Sequence, residues 1–177
     1  ILCTLDMDAR RVALTSLARD LQVTLPSGGE NRLNTVAHFG DEEELVQVVE
    51  GLLGLPIEGY VSVNFSSVVE IVDALGGVWV DVPVSNDQTG SSNTGMELEA
   101  GEQLLTGKQA LAFARERYGY ERGDFQRADN QKILLQAIIK KVLSLSPIDL
   151  PGTIQQLASC VTTDYSVTDI IALAQKF

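Results

Sequence analysis

The chain has 177 residues, 45% hydrophobic and 21% charged, a composition that excludes a disordered chain and suits a folded globule. That length supports one full core and is short for two, so residues 1–177 are read as a single domain. With 13 Lys and Arg against 24 Asp and Glu, the net charge of −11 argues against a non-specific nucleic-acid binder, which needs a basic surface.

Ile1 to Leu5 and Arg11 to Ser16 are short apolar-alternating runs joined by the polar turn Asp6-Met7-Asp8-Ala9, the pattern of a hairpin. Arg19 and Asp20 follow the second strand, where ligands of α/β sheets tend to sit. Leu21 to Leu25 is a third strand, stopped by Pro26. The lone His38 has no nucleophile or second histidine beside it and is read as structural. Asp41 to Gly54 is an amphipathic helix whose acidic first turn suits the helix dipole. Tyr60 to Val63 is a strand, and Phe65 to Leu75 a helix with Ser67 to Glu70 as its capping box. Asp73 lies near the end of that helix, against the dipole, and therefore calls for a partner, with an arginine as the candidate.

Val78 to Val82 is the next strand. Ser85 to Gly95 contains no apolar residue and reads as a mobile loop. Thr106 caps a helix running to Arg115, Asp124 to Leu145 is the longest helix, and Pro147, Pro151 and Gly152 interrupt the chain. Ile154 to Ser159 and Val167 to Phe177 are the last helices. Interleaved strands and helices give an α/β class with a mixed sheet covered on both faces.

No apolar run approaches the ~18 residues of a transmembrane helix. The chain starts at Ile1 without an initiator Met or a signal peptide, which reads as a processed chain or a fragment. Cys3 and Cys160 lie near opposite ends without CxxC spacing, which makes zinc a poor fit. Paired, they would close nearly the whole chain, worth roughly 5 kcal/mol, and would require an oxidising, exported setting. Two unrelated thiols are the other reading.

Phe113 to Gln131 gathers Arg115, Arg117, Arg122 and Arg127 in an otherwise acidic chain. Asp124 reads as a helix N-cap, and Asp124, Arg127 and Gln131 then share one helix face. A helix N-terminus with arginines suits phosphate. Arg115 and Arg117, two apart, converge only if the preceding helix ends there and the chain becomes extended. The bland alternative is a solvated network with Glu116, Glu121 and Asp124, whose pairs contribute ~0–1 kcal/mol each. Arg122 is read as a surface residue. No GxGxxG, P-loop, GxSxG or HExxH motif occurs, so P-loop, serine-elbow and zincin chemistry have no support.

Six segments in order carry a resemblance. They are Leu14 to Asp20, Arg32-Leu33-Asn34, Val72 to Val78, Leu105 to Leu111, Ala114 to Arg117, and Gly123 to Arg127 extended to Gln131. Together they resemble the LytR-CpsA-Psr family, with Arg32 where a lysine is more usual. The resemblance implies an α-β-α sandwich with a mixed central β-sheet and a hydrophobic pocket for a polyprenyl chain. It implies a phosphotransferase that moves a polyprenyl-pyrophosphate-linked glycopolymer onto peptidoglycan or another wall glycoconjugate, releasing polyprenyl phosphate. It further implies Mg²⁺, an N-terminal membrane anchor and the extracytoplasmic face of a Gram-positive bacterium.

On that resemblance Arg19, Arg32, Arg115, Arg117, Arg127 and Gln131 are assigned to the pyrophosphate, since arginine forks contact phosphate bidentately. Arg115, Arg117, Asp124 and Arg127 form the catalytic group, and Asp20, Asn34 and Asp73 support it. Asp20 or Asp124 could serve as base for the incoming hydroxyl. The family's metal-binding carboxylates fall upstream of Ile1, and Asp73 alone would not hold Mg²⁺ well. Two other activities remain open: a polyprenyl pyrophosphatase, and a non-enzymatic module that binds polyprenyl phosphate.

Overall fold

The computed structural model describes residues 1–177. Eight strands and seven helices are interspersed along the chain, a mixed α/β class as expected. The strands are β1 (Leu2–Asp6), β2 (Arg11–Thr15), β3 (Gln22–Thr24), β4 (Glu30–Arg32), β5 (Val61–Ser62), β6 (Val78–Val82), β7 (Gly101–Leu105) and β8 (Thr162–Thr163). The helices are α1 (Leu33–Phe39), α2 (Glu42–Leu53), α3 (Phe65–Ala74), α4 (Gly107–Arg115), α5 (Asp124–Leu143), α6 (Leu150–Ala158) and α7 (Val167–Ala174). The strands do not join in one mixed central sheet. They pair as four two-stranded antiparallel ladders, β1–β2, β3–β4, β5–β8 and β6–β7.

The larger core lies where α3, α4 and α5 meet the β6–β7 ladder. β6 reads Val-Trp-Val-Asp-Val, and its alternation turns Val78, Val80 and Val82 inward and leaves Trp79 and Asp81 exposed. Ile71 and Val72 of α3, Leu75 at its C-cap, Phe113 of α4 and Leu134 of α5 close this core. Each fully buried apolar side chain there stabilises the fold by about 1.5–3 kcal/mol. A smaller core joins Val23, Leu33, Val36 and Val48 from β3, α1 and α2.

Several local readings need correction. The N-cap of α3 is Asn64, whose side chain accepts from the Ser67 amide, so the capping box read at Ser67 is not formed. Gly123 precedes α5, and Asp124 is its first helical residue rather than its cap. α6 begins at Leu150 and runs through Pro151 and Gly152, because proline is tolerated in a first helical turn. Cys3 is exposed on β1, Cys160 packs beside the larger core after α6, and the two thiols are free, with no disulfide between them.

The Ser85–Gly95 loop, expected to be mobile, is tied down along its length. Asn86 is buried, donating from Nδ2 to the Met96 carbonyl and accepting from the Leu98 amide. No helix is long and apolar enough to cross a membrane.

Asp73 finds its partner within this framework. Its Oδ1 accepts from the Gly107 amide at 2.7 Å, so it satisfies the first N–H of α4 instead of pairing with an arginine. The approach is close: a Cβ on Gly107 would sit 2.4 Å from the Val69 carbonyl oxygen. Gly107→Ala is expected to lower stability by about 1–3 kcal/mol through overpacking, and Asp73→Ala by about 1 kcal/mol through the lost cap. Urea unfolding of both variants checks this; a Gly107→Ala midpoint equal to wild type would refute the close packing.

Candidate functional site

α4 ends at Arg115, and Glu116 leaves the helix in extended geometry with φ −60° and ψ 134°. That meets the condition for Arg115 and Arg117 to converge, because residues two apart on an extended strand point the same way. Glu116 points the other way and is fully buried. The Arg115 guanidinium lies 4.2 Å above the Phe65 ring centroid, a cation–π contact, and its side chain is exposed. The Arg117 guanidinium stands 5.4 Å from the Tyr118 ring centroid.

The turn after Arg117 delivers Asp124 and Arg127 to the same place. Asp124 Oδ1 lies 2.6 Å from Arg127 Nη2 and 3.4 Å from Arg117 Nε, so one carboxylate bridges two guanidiniums in the first turn of α5. Gln131, one turn further along, donates from Nε2 to the Ala114 carbonyl at 3.2 Å, tying α5 to the end of α4 beside Arg115. Arg115, Arg117, Asp124, Arg127 and Gln131 are thus brought together. Arg122 pairs with Asp129 at 3.3 Å on the surface.

The other assigned residues form a separate group. The Asn34 amide donates to the Arg19 carbonyl at 2.9 Å, and Gln22 faces Arg32 in the β3–β4 ladder. Arg19, Arg32 and Asn34 therefore gather where β4 runs into α1, and Arg19 pairs with Asp20 at 3.7 Å on an exposed surface. No hydrogen bond or ion pair joins this group to the α4–α5 cluster. Asp73 belongs to neither, as its bond to Gly107 shows.

Sequence reasoning missed the support beneath the cluster. Glu116, read only as a surface partner for the arginines, accepts from five donors: the Ser92 and Thr94 hydroxyls and the amides of Asn93, Arg117 and Gly119. Burial pushes its pKa up, but these hydrogen bonds outweigh burial and hold it at about 2. A second buried chain runs behind α5. Gln126 donates to Asn130, and Asn130 donates to the Tyr120 hydroxyl and the Phe113 carbonyl. Only the polar composition of the 85–95 stretch hinted at a partner that could order it.

The donor set does not suit Mg²⁺. No three His, Cys, Asp or Glu residues cluster, and the Asp124 Oδ1 is taken by two guanidiniums. An apolar groove of about 380 Å³ lies between Val12 of β2 and Ile139 and Leu143 of α5. Ile139 lies twelve residues beyond Arg127, about 18 Å along α5, so the groove and the arginine cluster occupy different stretches of the helix.

An arginine cluster at a helix N-terminus, built on a mixed α/β frame, has the chemistry that suits a phosphorylated ligand. The chain belongs to the LytR-CpsA-Psr family, whose model (LytR_cpsA_psr family) matches residues 1–177. It is 35% identical to the polyisoprenyl-teichoic acid–peptidoglycan teichoic acid transferase TagV of Bacillus subtilis, covering 100% of this chain and 47% of that protein. It is 33% identical to the TagU transferase of Enterococcus faecalis, over 100% of this chain and 57% of that protein. The crystal structure of Bacillus subtilis TagV superposes with a TM-score of 0.85 at 33% identity, covering 98% of this chain and 68% of that one. The chain spans about half the length of the curated relatives it matches.

The Glu116 bonds make a pH-dependent prediction. A carboxyl with a depressed folded pKa stabilises the fold above its unfolded value of 4.5, and that stability is lost as pH falls toward about 2. The wild-type urea midpoint should fall more steeply between these limits than that of Glu116→Gln. Parallel pH profiles would show that Glu116 is not held ionised.

Proposed function

We propose that this chain grips the pyrophosphate of a polyprenyl-linked glycopolymer donor, within an enzyme that transfers the glycopolymer to a cell-wall acceptor. The acceptor is peptidoglycan or another wall glycoconjugate, outside the membrane of a Gram-positive bacterium, with 1–177 acting as one domain. The observation that carries this reading is the Arg117–Asp124–Arg127 bridge in the first turn of α5, with Arg115 beside it. The names of TagV and TagU, polyisoprenyl-teichoic acid–peptidoglycan teichoic acid transferases, support the substrate class.

In this reaction an acceptor hydroxyl attacks the phosphorus that carries the sugar. The bond from that phosphorus to the bridging oxygen breaks, the electron pair stays on the oxygen, and polyprenyl phosphate leaves. The hydroxyl proton passes to a base or to water. Such transfer depends on positioning and on neutralising phosphate charge, which the guanidiniums supply. Asp124 keeps Arg117 and Arg127 aligned, and the α5 amides add partial positive charge. Val61, Val63 and Phe65 are exposed and lead up to Arg115, giving apolar surface to the first isoprene units. Arg19, Arg32 and Asn34, set apart at the β4–α1 junction, are assigned to the donor's more distant phosphate or sugar groups.

Binding tests the reading directly. Calorimetry should show geranylgeranyl pyrophosphate binding to wild type, with Arg117→Ala weakening it about tenfold to a hundredfold, the worth of charged hydrogen bonds. The melting temperature should stay nearly unchanged, because the Arg117 side chain is partly exposed. A fatty acid of equal length should bind poorly. Equal binding of the fatty acid, or no effect of Arg117→Ala, would overturn the pyrophosphate assignment.

A further inference from the structure

The sequence alternates Arg115, Glu116, Arg117, and the structure places the outer two at the surface and the middle one inside. Glu116 has no cation within ion-pair distance. Its charge is met by five donors, drawn from the 92–94 loop and from the turn that begins at Arg117. One of those donors is the Arg117 amide itself, at 2.9 Å.

The same loop holds the arginines a second way. Asn93 Oδ1 accepts from the Arg117 and Tyr118 amides, and its Nδ2 donates to the Arg115 carbonyl at 3.1 Å. Thr89 Oγ1 donates to the Tyr118 carbonyl, and the Thr89 amide donates to the Gly119 carbonyl. Gly119 fits only as glycine, since a Cβ there would sit 1.8 Å from the Asn86 carbonyl oxygen. Both arginine backbones are therefore clamped to one loop, and the loop is fastened by one carboxylate.

We infer that Glu116 is a positioning residue for Arg115 and Arg117, acting through the loop it fastens and through the Arg117 amide. This rests on the reading of the arginines as the pyrophosphate grip. Glu116 touches no substrate. It sets where two guanidiniums begin, and a displacement of an ångström at that root is carried to the phosphate contacts. The polar loop is part of the same device: Ser92, Asn93 and Thr94 spend their side chains on the clamp rather than on solvent or ligand.

The test reads inorganic pyrophosphate binding by calorimetry across Glu116→Ala, Glu116→Gln, Arg117→Ala and the double variant Glu116→Ala with Arg117→Ala. A glutamine can keep Oε1 as acceptor for the three amides and donate from Nε2 to the two hydroxyls, which then accept. Glu116→Gln should therefore stay within about threefold of wild type, while Glu116→Ala weakens binding about tenfold or more. The double variant should lose clearly less than the product of the two single losses, because with Arg117 gone Glu116 has only Arg115 left to position.

A loss in Glu116→Ala that multiplies in full onto Arg117→Ala, or wild-type binding in Glu116→Ala, would overturn the inference. Absence of pyrophosphate binding in wild type would instead overturn the grip on which it rests. Should Glu116→Ala fail to fold, Asn93→Ala removes the outer half of the clamp and must show the same non-additivity with Arg117→Ala. Additivity there would overturn the inference equally.

Discussion

A carboxylate taken out of water costs several kcal/mol unless charge-assisted hydrogen bonds replace its hydration. Glu116 meets that condition without a cation, and much of the surrounding geometry follows from it. The 92–94 loop must approach to bring two hydroxyls and an amide; the chain after Arg117 must curl back to bring the Gly119 amide. The curl presses Gly119 against Asn86, which is itself fixed by Met96 and Leu98 at the start of the approach to β7. With Glu116 inside, its two arginine neighbours have only the surface to occupy.

The outward cluster obeys different physics. Arg117, Asp124 and Arg127 are partly exposed, and ion pairs of that kind contribute little to stability. Their value lies in orientation: one carboxylate among several guanidiniums keeps the forks apart and aimed while leaving net positive charge. In a chain of net charge −11 this local excess is the place an anion would be drawn to. Burial and surface charge are thus divided between the two faces of a single turn, the buried carboxylate lying on one and the bridged arginines on the other.

Periodicity located most of the frame. β1, β2, β6, α2, α3, α4 and α5 all fall close to the spans that apolar spacing indicated. The elements that escaped are short or weakly patterned: β4, β7 and β8, and α1, whose cap residue Arg32 makes no side-chain cap bond. Joining of strands into one sheet was also misjudged, since alternation reports which face is buried and not which edge is paired. At the site, the shared face of Asp124, Arg127 and Gln131 could be read from spacing. The condition for Arg115 and Arg117 to converge could be stated as well, but only the φ and ψ of Glu116 decide it. The partner of Asp73 and the burial of Glu116 were beyond reach, because each depends on a contact across more than twenty residues that no local pattern encodes.

Every hydrogen bond of the arginine site lies between Thr89 and Gln131, and the larger core beneath it runs from Ile71 to Leu134. By contrast, the bonds that hold the C-terminal part join Tyr60 to Thr163 and Asp164, more than a hundred residues apart. Loop-closure entropy makes short-range contacts the faster to form, so the stretch carrying the arginines has the makings of a cooperative unit that condenses early. The terminal hairpin and the last two helices are attached to it rather than woven through it. Fraying at either end of the chain would then leave the arginine-bearing surface assembled, with sub-global opening reaching it last.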